Sequence, residues 1–482
     1  MKISISNIFA AIVILITLFA CEKEQSIEEP LFNHAETDFM QQDPILIKGG
    51  MYFETDSKSM QKNSGIVVQS GKIMIVDGDV SKWEDIVSEV LTLEDHHYIL
   101  PGIIDMHAHY NMDLIGGGRV EDYQYNPVVY LANGVTSTWP GGSYNPEGEF
   151  KLRNRIISGE QIGPRIFNSG PYFGRARRGW NPDYTAQDIH NQVDYWAKRG
   201  VHSFKAKSIA EKHLKPLIER AHFHGLTVSG HVGSGGENSV NAKDAIYMGI
   251  DRVEHVKGGD VLEPGESTYG QYRFVDVESP EFADIAETFI KYNVFHSPTM
   301  SITARWTEEQ PGWEHWVEED EYFTSHVQEY VDENPPFQFR EVMNDLYWKK
   351  YETNPAFHEM GGKLVLSTDN PSQGTHLSGF NAHRELHTFV MAGIPEEDAL
   401  IIASLNGAKA LNVSDRLGSI ETGKFADLFI VKGNPLEDIT NTRNVKHVIK
   451  AGNLYDPDQL LDSIKGKIGP DGPEEEHNWI VN

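Results

Sequence analysis

From residue 98 to residue 410, short apolar runs rich in β-branched residues alternate with stretches of helical character. This alternation constrains the fold most, because a parallel strand is regained only through a crossover of a dozen or more residues, so each run and its following helix form one βα unit. The runs fall at 99–104, 134–139, 165–170, 201–207, 226–231, 252–256, 293–298 and 363–368. They predict a closed (β/α)8 barrel, and the pattern alone is also compatible with an open doubly wound sheet. Helix starts are legible between them, as in the capping-box-like pair Thr185 and Asp188.

The chemistry of a barrel gathers where the strands end, at their carboxyl side. The segment 98–110, YILPGIIDMHAHY, reads as the first strand and closes on Asp105, His107 and His109. Side chains alternate along a strand, which puts His107 and His109 on one face, within reach of a single ion. Alone, a His-x-His pair fits two satisfied polar residues equally well. The other strand ends add Lys205 and Lys207 on the fourth strand, His231 on the fifth, His255 on the sixth and Asp369 after the eighth. Imidazole and carboxylate suit zinc and similar ions. The donor set exceeds what one ion needs and favours two. A protonated lysine has no acceptor and repels cations, so Lys205 fits such a site only if its charge is removed or converted.

Composition sets the limits. The chain has 482 residues with a formal net charge of −29, against nucleic acid as a partner, since phosphate contacts need clustered Lys and Arg. Residues 1–20 read as a secretory signal, a Lys2 start followed by an apolar stretch too short to span a bilayer comfortably, and end at Leu18-Phe19-Ala20-Cys21, which resembles a bacterial lipobox. Cys21 is the only cysteine, so the exported chain has no internal disulfide and no thiol ligand. Lipidation at Cys21 predicts an envelope protein held to the membrane by its anchor alone, with 21–43 as a polar tether. Short strand-like runs in 44–97 and again in 411–460 predict a small β-sandwich domain assembled from both termini, flanking the barrel at 98–410. Within the barrel, 301–361 is a long insertion, expected either as a lid or as a surface excursion, and 461–482 is an acidic tail.

Taken together, the chain resembles the amidohydrolase superfamily, most closely its imidazolonepropionase-like and prolidase-like branch. PGIIDMHAH is similar to the first-strand motif, SFKAK to that of the fourth-strand lysine, GHVG and VEHV to the fifth- and sixth-strand histidines and STDN to the eighth-strand aspartate; the likeness extends to LGSIETGKFADLFIV. The resemblance implies that Lys205, rather than Lys207, is carboxylated by carbon dioxide and bridges two divalent ions, zinc being the commonest. It implies that His107, His109 and Asp369 hold one ion and His231 and His255 the other. It further implies hydrolysis by a metal-bound hydroxide, with Asp369 taking the proton and returning it to the departing nitrogen.

Substrate residues are less legible. Arg175, Arg177 and Arg178, in GRARRG after the third strand, are candidates for clamping a substrate carboxylate. GRARRG departs from the Gly-Gly-His type of sequence common in prolidase-like relatives. Tyr110 is a candidate oxyanion donor. His296 and His383 read as structural. The expected function is cleavage of an amide C–N bond in a small molecule, an N-acyl amino acid or a dipeptide. Hydrolysis of a ring amide or lactone, or deamination, at the same site is a second reading, and a non-catalytic metal- or solute-binding lipoprotein a third. No oligomeric state is set by the sequence.

Overall fold

The computed structural model describes residues 43–233, 240–260, 267–304, 306–307, 317–334, 340–371 and 376–479. The expected signal segment, Cys21 and all but the last residue of the tether lie outside these. Among the described residues, no helix is long and apolar enough to cross a membrane.

Each of the expected strand runs overlaps a strand, labelled β1 (Ile103–Ala108), β2 (Val135–Pro140), β3 (Arg165–Ile166), β4 (Ser203–Lys207), β5 (Thr227–His231), β6 (Arg252–Glu254), β7 (Phe295–Ser297) and β8 (Lys363–Leu364). β1 to β3 form one parallel sheet and β4 to β8 another. Backbone hydrogen bonds join the two sheets at both seams. The Met106 amide donates to Leu366 O (2.9 Å) and that of Asp369 to His107 O (2.8 Å), tying the end of β8 to β1. At the other seam His202 donates to Asn168 O and Phe173 to Lys205 O, 2.9 and 2.8 Å.

The strands are buried nearly throughout, which is why they read as continuous apolar runs rather than alternating ones. Thr185 and Asp188 form the expected capping box, each side chain accepting from the other's amide.

The segment 98–110 is not one strand, as the sequence led us to expect. His97–Pro101 belongs to a different, six-stranded sheet, where it runs antiparallel to Leu428–Lys432 and parallel to Met51–Glu54. Gly102 separates it from β1: its amide still bonds Asp427 O in the terminal segment at 2.8 Å, and a Cβ there would stand 2.0 Å from Thr136 Oγ1 on β2. Gly102 is the place where chain from one sheet passes against the wall of the other, and only a residue without a side chain fits.

The six-stranded sheet takes strands from both ends of the chain, and a four-stranded sheet from residues 45–92 lies with it. Ile45, Ile47, Ile66 and Val68 of the smaller sheet share an apolar cluster with Ile99, Leu428, Ile430 and Ile449 of the larger. The insertion carries the helices Ser325–Glu333 and Glu341–Glu359, the second of which buries Leu346, Tyr347, Thr353, Asn354 and Phe357 completely. The acidic tail is docked too, with Ile468 buried and its carbonyl accepting the Thr324 amide.

Candidate metal centre

The site is assembled by β1, β4, β5, β6 and the chain just beyond β8. Asp105, on β1 and facing inward two residues below His107, accepts the His107 amide at 3.0 Å and, from the far strand, the Thr368 amide at 3.2 Å and hydroxyl at 2.6 Å. These bonds set the histidine pair against Asp369. His109 Nε2 lies 2.9 Å and His107 Nε2 3.4 Å from Asp369 Oδ1, and His255 Nδ1 lies 4.0 Å from Oδ2. One ligand atom each from His107, His255 and Asp369 falls within 4.8 Å of the others. The His231 ring is 4.4 Å from that of His255, centroid to centroid, and the His107 ring 5.0 Å.

The electrostatics suit cation ligation. Burial, with the positive charge of neighbouring lysines added, holds His107, His231 and His255 well below the usual imidazole range, so each keeps a lone pair to offer. Burial alone would raise Asp369, but its hydrogen bond and charge interaction with His109, helped by Lys207 and Arg119, bring it down to about 2. Lys205 is 1% exposed, sits against Glu254 and 5.8 Å above the Trp139 ring, and is driven well below the normal lysine range by burial first and by Lys207 and Arg252 after it.

A donor set of neutral imidazoles, one ionised carboxylate and a buried lysine fits divalent cations bound at the strand ends. His107 Nδ1, buried and without a hydrogen bond, is 3.5 Å from Glu254 Oε2, so the Nε2 edge faces the cluster while Nδ1 is backed by a carboxylate. Asp369 (φ 55°), His255 (φ 68°) and Thr299 (φ 48°) all adopt the left-handed backbone conformation, which costs free energy in a residue with a side chain and is held here by the surrounding bonds.

Two expectations about substrate residues do not fit this geometry. Tyr110 is fully buried, with its hydroxyl 2.9 Å from Thr138 Oγ1 and its ring against those of Tyr123 and Tyr130. It lies in a bend just past β1, packed among these side chains. The arginines do not converge on the site. Arg177 donates to Gln192 Oε1 at 2.7 Å, exposed Arg175 lines an outer cavity of about 750 Å³ with Trp180, Lys212 and His213, and Arg178 is exposed.

Among the cations that act on the site residues are Arg119 and Lys207. Arg119 influences Asp369, His109, Lys207 and Tyr172, and Lys207 lies 5.5 Å over the Tyr172 ring. Burial first, and Arg119 after it, lower Lys207. His296 and His383 are buried away from the cluster, bonded to Val253 O and Thr442 Oγ1.

The sequence reading missed Glu254, Tyr130, Thr299, Lys350 and Arg119. Tyr130 Oη accepts the His109 amide at 3.1 Å and stands 3.0 Å from both His109 O and Asn370 O, clasping the ends of two strands. Only Glu254 had a signal, as the acidic neighbour inside VEHV.

The sequence matches the Amidohydrolase family over residues 98–455. It is 33% identical over 88 residues to a 5-methylthioadenosine/S-adenosylhomocysteine deaminase of Teredinibacter turnerae, 17% of this chain and 20% of that protein. It is 29% identical over 125 residues to an imidazolonepropionase of Syntrophobacter fumaroxidans, 24% of this chain and 28% of that protein. The chain therefore spans less than a third of the length of these relatives. The fold is similar to that of a Xaa-Pro dipeptidase, with a TM-score of 0.63 and 22% identity over 86% of this chain and all of the other. With a match running from the first site strand to the last strands of the terminal sheet, the chain belongs to the amidohydrolase family.

Proposed function

We propose that the protein is a metal-dependent hydrolase of amide C–N bonds in small, carboxylate-bearing substrates of the N-acyl amino acid or dipeptide class. In this reading the eight strands work as one closed barrel, with a β-sandwich of terminal strands beside it. The observation that carries the proposal is the convergence of His107, His109 and His255 on the two oxygens of Asp369. Family membership supports it.

His107, His109 and Asp369 would hold one divalent ion, His231 and His255 a second, zinc being the expected metal. A lysine kept from protonating is the form of amine that adds to carbon dioxide, so buried Lys205, once carboxylated, would add oxygen ligands to the donor set. When bound, such ions lower the pKa of water and polarise a carbonyl oxygen. The chain's own residues do the rest. Asp369, ionised and reaching the open mouth with 22% of its side chain exposed, accepts the proton released on attack and delivers it to the departing nitrogen. Arg119 and Lys207, beside it, hold a substrate carboxylate and set the amide over Asp369.

The test is metal analysis of the purified protein together with a hydrolysis panel of N-acyl amino acids, dipeptides, lactams, lactones and cyclic amidines, with Asp369→Asn as background. Bound metal and turnover of the linear amides, reduced roughly 10² to 10⁴-fold in Asp369→Asn, is expected. Turnover confined to cyclic substrates would move the reading to ring opening or deamination. Metal-free protein without Asp369-dependent turnover would refute it.

A further inference from the structure

The helix Glu341–Glu359 belongs to the insertion expected as either a lid or a surface excursion, and it carries a buried lysine to the metal centre. Lys350 is 1% exposed and its Nζ donates to Thr299 O at 3.2 Å, with Thr299 Oγ1 at 3.4 Å. Thr299 Oγ1 in turn stands 2.8 Å from Nδ1 of His255. Lysine can only donate, so its favourable partner here is the threonine carbonyl.

Thr299 needs such a partner. It is β-branched and adopts φ 48°, a conformation strongly disfavoured for that side chain. The segment is clamped from two directions: Lys350 takes the carbonyl, and Glu385 accepts the next two amides, Met300 at 2.9 Å and Ser301 at 2.7 Å. Thr299 N also donates to Ser367 Oγ on the strand leading to Asp369, at 3.2 Å. The hydroxyl is thus delivered to His255 by a backbone that would otherwise relax.

We propose that Lys350 and Thr299 are positioning residues of the metal centre: Lys350 holds Thr299 in its strained conformation, and Thr299 Oγ1, bonded to Nδ1, fixes the orientation of the His255 ring against Asp369. The insertion is then part of the site's construction. The inference rests on the proposal that the centre binds metal, and its test reads metal affinity.

Thr299→Val keeps the shape and loses the hydroxyl, while Thr299→Ser keeps the hydroxyl. Lys350→Met keeps the length and loses the donor. Zinc affinity is read by competition with a chromogenic chelator, alongside the unfolding midpoint of the metal-free proteins. We expect Thr299→Val to weaken zinc binding by roughly 10 to 100-fold, the usual effect of losing the group behind a histidine ligand, with Thr299→Ser close to wild type and Lys350→Met weakened like Thr299→Val. Wild-type affinity in a folded Thr299→Val protein would overturn the proposal and leave the metal site standing, as would a Lys350→Met protein whose only defect is a lower unfolding midpoint. A wild-type protein that binds no zinc would overturn both.

Discussion

Asp105 and Thr368 are 263 residues apart in the chain and hold each other by two hydrogen bonds, from the threonine hydroxyl at 2.6 Å and its amide at 3.2 Å. The pair stitches the first strand to the last below the site. Burial pushes the Asp105 carboxyl up to about 6, against the lowering effect of these bonds. Asp105→Ala strands the His107 and Thr368 amides in the interior. We expect a loss of roughly 2 to 4 kcal/mol of stability, with the metal centre loosened, read as a lower denaturant midpoint and weaker zinc retention. A variant with unchanged midpoint and metal content would remove this pair from the account.

Arg119→Ala and Lys207→Ala should each raise KM for carboxylate-bearing substrates by about 10 to 100-fold, the value of one charge-assisted hydrogen bond, and leave amides without a carboxylate nearly unaffected. Arg175→Ala should change neither. Steady-state kinetics on paired substrates decides, and a large effect at Arg175 would reverse the assignment.

Glu121 and Glu149 supply a pH signature outside the centre. Burial pushes Glu149 well above the usual carboxyl range, with the charge of Glu121 adding to it, and burial pushes Glu121 up from 4.5 to about 7. Both folded-state values exceed the unfolded ones. Their contribution to stability is therefore complete below pH 4.5 and lost as the pH rises through the folded values. Glu149→Gln should gain in stability on wild type as the pH is raised from acid to mildly alkaline in urea unfolding. Parallel curves for the two proteins would show that the pair carries no such linkage.

Cys21→Ala should move the protein from the membrane fraction to the soluble fraction of the producing cells, because a lipid chain added at that cysteine is the proposed attachment. Fractionation with immunodetection checks this, and undiminished membrane retention would count against lipidation.

What the sequence disclosed follows from how each residue acts. The ligand types were legible because the runs that bear them, such as 201–207 and 226–231, carry them at the carboxyl end of the strand. The boundary inside 98–110 was hidden because an apolar run looks the same whether its ladder partner is the barrel or the terminal sheet, and only the pairing with Leu428–Lys432 tells them apart. The placement of Tyr110 was hidden because its packing against Thr138, Tyr123 and Tyr130 depends on contacts that the sequence does not display. Thr299 and Lys350 gave no signal, for their roles depend on contacts between segments far apart in sequence. Arg119 was similarly obscured, arriving through the short hairpin of Asn111–Met112 and Val120–Glu121.

The antiparallel pairing of His97–Pro101 with Leu428–Lys432 also has a bearing on how the protein is made. A nascent polypeptide leaves the ribosome amino end first, so His97–Pro101 can pair early with Met51–Glu54 on one edge, while its other edge has no mate until residues 428–432 have been translated. Until then its edge stands open to other chains, a recognised route to aggregation. The terminal sheet therefore closes only once residues 428–432 are made, and truncation before residue 428 would leave that edge of His97–Pro101 unpaired.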